Sequence, residues 1–380
     1  MKSIVIVTAT RAEYGILTPL IRAVEEDEEL ELKLIVTGAH LSDKYGNTES
    51  YIEKDGFSIE CRIPILDEGN TSMDISFSVA RAVEGFAKYF SENKPDMVVI
   101  LGDRTEMLGV AIAAMNELIP IAHIHGGEIT QGAVDDSVRH ALTKMSYLHF
   151  ASTDVYKNRI IQLGESPDRV YNVGALSTEN ILNAPILDEK CIRQIMGIKV
   201  GVDYAVVTFH PVTLEKDTAR FQVLELCKAM KDTIDMHFVV TMANADAGGD
   251  IINHMIKEFS DKCPNISFVA NLGMVNYLSA VKYAKFVLGN SSSGIVEAPV
   301  LGTPTVNIGD RQAGRLMAET IVNCEPAYDD IIDAIDKVMF MEHTPTFMYG
   351  DGKTSCKIVE VIKKTLASDI NIKKTFYDMS

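Results

Sequence analysis

Met97–Ile124 reads MVVILGDRTEMLGVAIAAMNELIPIAHI, and this stretch decides the fold. Met97–Leu101 is a short, wholly apolar run ending at the polar residues Gly102-Asp103-Arg104-Thr105-Glu106. Helical spacing follows to about Glu117, and Ile119–Ile124 forms a second apolar run. A strand covered on both faces is a continuous apolar run, whereas a half-exposed strand alternates. The pattern is therefore strand–helix–strand with parallel strands.

The same pattern extends outward. Ile4–Val7 and Leu32–Val36 read as strands, with helices over about Leu17–Glu28 and Met73–Glu92. After Ile124 come a helix over Ser137–Met145 and short strands at His149–Ala151 and Val170–Val173. A second series places strands at Tyr204–Thr208, His237–Thr241, Ile266–Val269, Phe286–Gly289 and Thr305–Ile308. Helices lie between them over about Asp217–Lys231, Ala247–Phe259, Val275–Ala284 and Gly294–Val300. Alternation of this kind predicts α/β architecture: two Rossmann-like domains, 1–175 and 176–354, facing an interdomain cleft. A final helix over about Ser355–Ala367 fits against either domain.

The whole-chain figures agree. The length of 380 residues suits two domains, and 47% of them are hydrophobic. A net charge of −17 disfavours nucleic acid and anionic membranes as partners. An anionic ligand would need a local cluster of arginines or helix N-termini. Cysteines 61, 191, 227, 263, 324 and 356 are scattered, which fits free thiols in a reducing cytoplasm. No signal-peptide pattern or membrane-length apolar window is visible.

Ligands of parallel sheets bind beyond the carboxyl ends of strands, and the polar motifs fall there. Thr8–Gly15, TATRAEYG, opens a helix after the first strand, and Arg11 could grip a phosphate. In Gly102–Glu106, Asp103 could serve as a general base and Arg104 as a phosphate or sugar ligand. An N-cap with a surface salt bridge is the plainer alternative.

His123–His140, HIHGGEITQGAVDDSVRH, gathers three histidines, Glu128, Asp135, Asp136 and Arg139. If His123 and His125 alternate on one strand, both side chains point one way and permit a metal pair. No third ligand stands at a readable spacing, so metal is the lesser reading. Asp135 and Arg139 are spaced to pair along a helix.

Phe209-His210-Pro211 follows a strand, as does the loop Asn244–Gly249. Gly289–Glu297, GNSSSGIVE, joins a strand to a helix start and makes a phosphate cradle, with Glu297 placed to accept from ribose hydroxyls. Asn307–Gln312 adds Arg311. No Walker A lysine and no GxGxxG motif accompany them.

TRAEYG, GDRTE, HIHGGE with DDSVRH, GNSSSGIVE and NIGDRQ, in that order, resemble the bacterial hydrolysing UDP-N-acetylglucosamine 2-epimerases. The likeness spans nearly the whole chain. It implies a glycosyltransferase-B-like fold whose last helix, about 355–380, returns to the first domain. It also implies a homodimer or homotetramer in the cytoplasm that needs no cofactor and no metal. The implied reaction converts UDP-N-acetylglucosamine to N-acetylmannosamine and UDP through a glycal, for sialic-acid-type sugars. The same reaction on a 2,4-diacetamido-2,4,6-trideoxy sugar nucleotide, of the legionaminic acid route, and the non-hydrolysing epimerisation are the alternatives.

By that resemblance, Arg11 and Arg104 lie near the diphosphate and sugar, and His210 contacts the phosphates. Asn244 and the backbone near Leu272 hold the nucleotide. Ser291 and Ser292 bind phosphate oxygens, Glu297 the ribose, and Arg311 adds a further group. Asp103 and Asp135 occupy acid/base positions. Many family members carry glutamate where this chain has His125, so either His125 or Glu128 takes that proton-transfer role. Glu128 with Asp103 is preferred.

Overall fold

The computed structural model describes residues 1–67, 71–129, 134–211, 218–243, 249–270 and 272–379. The chain divides into two compact units, Met1–Asn180 with Tyr349–Ser380, and Ile181–Met348.

The first unit holds a parallel sheet of β1 (Lys2–Thr8), β2 (Leu30–Thr37), β3 (Ile59–Ile63), β4 (Met97–Leu101), β5 (Ile121–Ile124), β6 (Leu148–Ala151) and β7 (Val170–Asn172). Their order is β3-β2-β1-β4-β5-β6-β7. Alternate side chains serve opposite faces. Ile4, Ile6, Met97 and Val99 pack with Leu17, Leu20 and Ile21 of the helix Arg11–Glu25 and with Ile358 and Ile362 of the helix Thr354–Leu366. Val5, Val7, Val98 and Ile100 pack with Phe86, Phe90 and Val110 on the other side. Every residue of β4 is buried, which is why its sequence is an unbroken apolar run.

The second unit repeats the plan with β8 (Tyr204–Thr208), β9 (His237–Thr241), β10 (Ile266–Val269), β11 (Phe286–Gly289), β12 (Thr305–Ile308) and β13 (Ile321–Cys324). Their order is β10-β9-β8-β11-β12-β13, all parallel. Ala205 and Val207 face one core and Tyr204 and Val206 the other. Two α/β units of this kind bear out the expected fold class.

Strand order reverses between β1 and β4, and again between β8 and β11. Loops leaving the carboxyl ends of such a strand pair diverge and leave a crevice. TRAEYG and GDRTE flank the first reversal, and FHP and GNSSSG flank the second.

Three expectations need adjustment. Edge strands β3 and β13 were not anticipated, because their half-exposed residues break the apolar run. The first helix starts at Arg11 rather than near Leu17, since Thr10 caps it by accepting from the Glu13 N–H. The helices Glu189–Met196 and Tyr328–Val338 are further additions. Among the described residues no helix is long and apolar enough to cross a membrane.

Candidate active site

In the first unit, Arg104 is half-exposed just beyond β4. Its Nε lies 2.6 Å from Glu106 Oε1 and 3.8 Å from Glu13 Oε2. Glu13 is buried at the start of its helix, where its Oε2 accepts from the Ala9 N–H at 3.1 Å and the Thr10 hydroxyl at 3.3 Å. Loss of hydration raises its pKa to about 7, against the pull of Arg104. Arg11 is exposed and its guanidinium lies over the Tyr51 ring at 4.4 Å.

Asp103 is paired directly with Arg139, which is buried in the helix Val134–Met145. Arg139 also lies 3.6 Å from Asp136. The arginine of the DDSVRH motif thus reaches back to the β4 loop, beyond the local pairing with Asp135 that its spacing suggested. Asp135 is exposed in the first turn of that helix, and its field acts on Arg104.

The two strand histidines do not form the pair that alternation would permit. β5 ends at Ile124, and His125 turns into the left-handed region with φ 63°. His123 is fully buried, with Nε2 2.7 Å from the Gly102 carbonyl and Nδ1 3.3 Å from the Thr143 hydroxyl. Burial pushes its pKa down to about 3, so it is neutral. It fastens β5 to the β4 loop and to the helix bearing Arg139. His125 instead meets Glu128, with Nδ1 3.8 Å from Oε1. The Ser152 hydroxyl donates to the same carboxylate oxygen at 3.0 Å. His125 Nε2 is buried and has no hydrogen-bond partner among the described residues. The two candidates for one role are therefore neighbours. No cluster of three or more His, Cys, Asp or Glu side chains suited to a metal occurs among the described residues.

The turn between them depends on Gly127. Its φ is 77°, and a Cβ there would overlap the Tyr156 carbonyl oxygen.

In the second unit, Asn290 ties three motifs together. Its buried side chain accepts from the His210 N–H at 2.7 Å and donates to the His210 carbonyl at 2.8 Å. Its own carbonyl accepts from Arg311 Nη1 at 3.1 Å and Gln312 Nε2 at 3.0 Å. His210 and Arg311 are thus both attached to the residue before Ser291. The Ser291 hydroxyl accepts from the Ser293 N–H at 3.3 Å. Ser292, exposed at the N-cap of the helix Ser293–Leu301, makes no side-chain capping bond. Hydroxyls and N–H groups at this helix start suit an anion.

Glu297 sits half-buried in the same helix, and burial raises its pKa. The Tyr277 hydroxyl donates to Ser293 Oγ at 2.7 Å. Leu272 is buried, and its carbonyl accepts from Asn276 Nδ2 at 2.9 Å. Asn244 lies outside the described residues. Asn290, Glu13, Ser152 and Tyr277 were not singled out from the sequence. Only Asn290 and Glu13 carried a signal, by standing inside GNSSSG and TRAEYG.

The UDP-N-acetylglucosamine 2-epimerase family model matches residues 22–363. The chain belongs to this family. A Campylobacter jejuni relative, GDP/UDP-N,N'-diacetylbacillosamine 2-epimerase (hydrolyzing), is 39% identical over 100% of this chain and 99% of its own length. The polysialic acid biosynthesis protein P7 of Escherichia coli is 37% identical over 100% and 98%. The UDP-N,N'-diacetylbacillosamine 2-epimerase (hydrolyzing) of Legionella pneumophila is 33% identical over 96% of each chain. Among solved structures, the Neisseria meningitidis UDP-GlcNAc 2-epimerase bound to UDP-GlcNAc gives a TM-score of 0.80 at 18% identity, covering 96% of this chain and 100% of that one. The Methanocaldococcus jannaschii enzyme gives 0.76 at 20% identity, with the same coverage. At these identities the structural likeness bears on the fold, and this chain has the architecture of the epimerase family.

Proposed function

We propose that this protein is a hydrolysing 2-epimerase that releases UDP from a UDP-linked 2-acetamido sugar. The observation that carries this reading is that each unit bears a polar loop system at the strand-order reversal of its own sheet. The second unit supplies the anion and ribose groups around Asn290, Ser291, Ser292 and Glu297. The first supplies Asp103, His125, Glu128 and Asp135.

The chemistry demands both. The C2 proton of the sugar has no adjacent carbonyl, so it is weakly acidic. A base removes it as the C1–oxygen bond to UDP breaks, which gives a glycal. Positive groups and N–H donors stabilise the charge gathering on the leaving diphosphate. Water then adds its oxygen at C1 and gives up one proton to a base, while an acid delivers a proton to C2 from the opposite face. We assign one proton transfer to Asp103, oriented by Arg139. We assign the other to the His125–Glu128 pair, with Glu128 as the transferring group and His125 as its partner. Asp135 assists beside Arg104.

Two sugars fit this chemistry. The sequence motifs do not separate UDP-N-acetylglucosamine from its diacetamido counterpart. The names of the C. jejuni and L. pneumophila relatives favour UDP-N,N'-diacetylbacillosamine, and we place that sugar first. Release of free UDP from each sugar nucleotide, measured at equal concentration, tests the reading. We expect the higher kcat/KM for the diacetamido sugar. Release of UDP from neither would overturn the assignment as a hydrolase.

A further inference from the structure

Glu13 stands apart from the groups to which a role has been given. It lies in the first turn of the helix Arg11–Glu25 and is only 7% exposed. One oxygen, Oε2, is occupied by the Ala9 N–H and the Thr10 hydroxyl. The other, Oε1, is buried with no partner among the described residues. A carboxylate in that condition is poorly solvated. Its nearest counter-charge is Arg104, which it shares with Glu106.

Both acids approach Arg104 at Nε. No hydrogen bond among the described residues involves its two terminal nitrogens, on a side chain that is 46% exposed. The guanidinium is therefore held by its inner edge and presents its outer edge. That edge has the planar fork suited to a phosphate.

We propose that Glu13, acting with Glu106, is a positioning residue whose charge sets how strongly Arg104 grips the diphosphate of the ligand. The proposal rests on the functional reading above only in taking that ligand to be a UDP compound. With Glu13 neutral, Arg104 faces one negative partner and keeps attraction to spare for an anion. With Glu13 ionised, two carboxylates neutralise it.

Burial raises the pKa of Glu13 to about 7 and Glu106 adds to the rise, so this switch falls near neutral pH. The other charged groups around it are Arg104 from the loop after β4 and Glu106 from the start of the helix Glu106–Asn116, with Asp135 acting on Arg104 from its own helix. The loop after β2 packs on Ala9 through the His40 N–H and adds His40 itself. Burial pushes the His40 pKa down to about 4, so it stays neutral above pH 6.

The sign follows. An anion bound at Arg104 favours the protonated form of Glu13, so binding is tighter below pH 7 and weakens above it. In Glu13→Gln the side chain keeps its shape and loses the ionisation. UDP itself ionises in this range, but that affects every variant alike.

The test is calorimetric titration of the full chain with UDP at pH 6 and pH 8, for wild type, Glu13→Gln and Glu106→Gln. Thermal unfolding of each variant confirms folding. Between the two pH values, wild type should lose about tenfold more affinity than Glu13→Gln. Glu106→Gln should also show a reduced loss, because Glu13 then keeps the guanidinium to itself and ionises at lower pH. A merely structural role for Glu13 would lower the melting temperature and leave the two pH responses parallel. Parallel responses in Glu13→Gln overturn the proposal. Should that variant not fold, a parallel response in Glu106→Gln does the same. Failure to bind UDP at either pH also overturns it. Because turnover is not the readout, UDP binding with the expected pH response but no UDP release would sink the hydrolase reading and leave this inference standing.

Discussion

His40 and His123 should make this protein sensitive to mild acid. Both are fully buried in the first unit. His123 is bracketed by the Gly102 carbonyl and Thr143, and His40 by Thr8 and Thr48 at 3.1 and 2.9 Å. Burial lowers their pKa values from 6.5 to about 3 and about 4. A histidine with a depressed folded pKa binds its proton in the unfolded chain first, so stability falls as pH drops below 6.5. At pH 5 the unfolded form gains RT ln(1 + 10^1.5), about 2 kcal/mol per histidine, and the folded form almost nothing. The pair should therefore cost about 4 kcal/mol between pH 8 and pH 5. The assay is urea unfolding at both pH values for wild type, His123→Gln and His40→Asn. Each variant should be less stable than wild type at pH 8, by about 1–3 kcal/mol for its lost hydrogen bonds. Each should also lose about 2 kcal/mol less than wild type on acidification. Carboxylates titrating in the same range affect all three proteins equally and cancel in the comparison. If His123→Gln weakens in parallel with wild type, the neutral buried imidazole is wrong. The role of a neutral His123 in fastening β5 to the β4 loop and to the helix bearing Arg139 would then fall with it.

Other outcomes follow from the same geometry. Asn290→Ala removes the two bonds to the His210 backbone, and KM for the UDP-sugar should rise at least about tenfold, with a stability loss of about 1–3 kcal/mol in urea. An unchanged KM would mean that Asn290 does not organise the nucleotide loops. Glu128→Gln should lower kcat by about 100-fold or more with little change in KM, as expected for a general acid–base group. His125→Asn should cost less, and the reverse ranking in steady-state kinetics would move the proton transfer to His125.

Much of the fold could be read directly because β1, β4, β8 and β11 are buried on both faces and so are unbroken apolar runs. The edge strands β3 and β13 escaped because one side of each meets solvent and their residues are mixed. The start of the first helix was misplaced because Thr10 caps it before any apolar periodicity appears. The polar motifs were visible as loops after strands, and the structure brings several of them side by side. It sets GDRTE against Glu13, and FHP against GNSSSG. What alternation could not supply was the φ of His125, which separates it from His123 and turns it toward Glu128. Nor could local spacing show that Arg139 reaches Asp103 or that Asn290 grips the His210 backbone. Those contacts exist only once neighbouring parallel strands deliver their loops to one end of a sheet.

In the proposed reaction the hydrogen at C2 leaves as a proton while UDP departs, and a solvent-derived proton replaces it on the other face. NMR of the reaction run to completion in D2O, with UDP-N,N'-diacetylbacillosamine and separately with UDP-N-acetylglucosamine, tests it most directly. The proposed reaction yields free UDP and a 2-epimerised free sugar carrying deuterium at C2 from at least one of them. A 2-epimer that retains protium at C2, or one still joined to UDP, would contradict it.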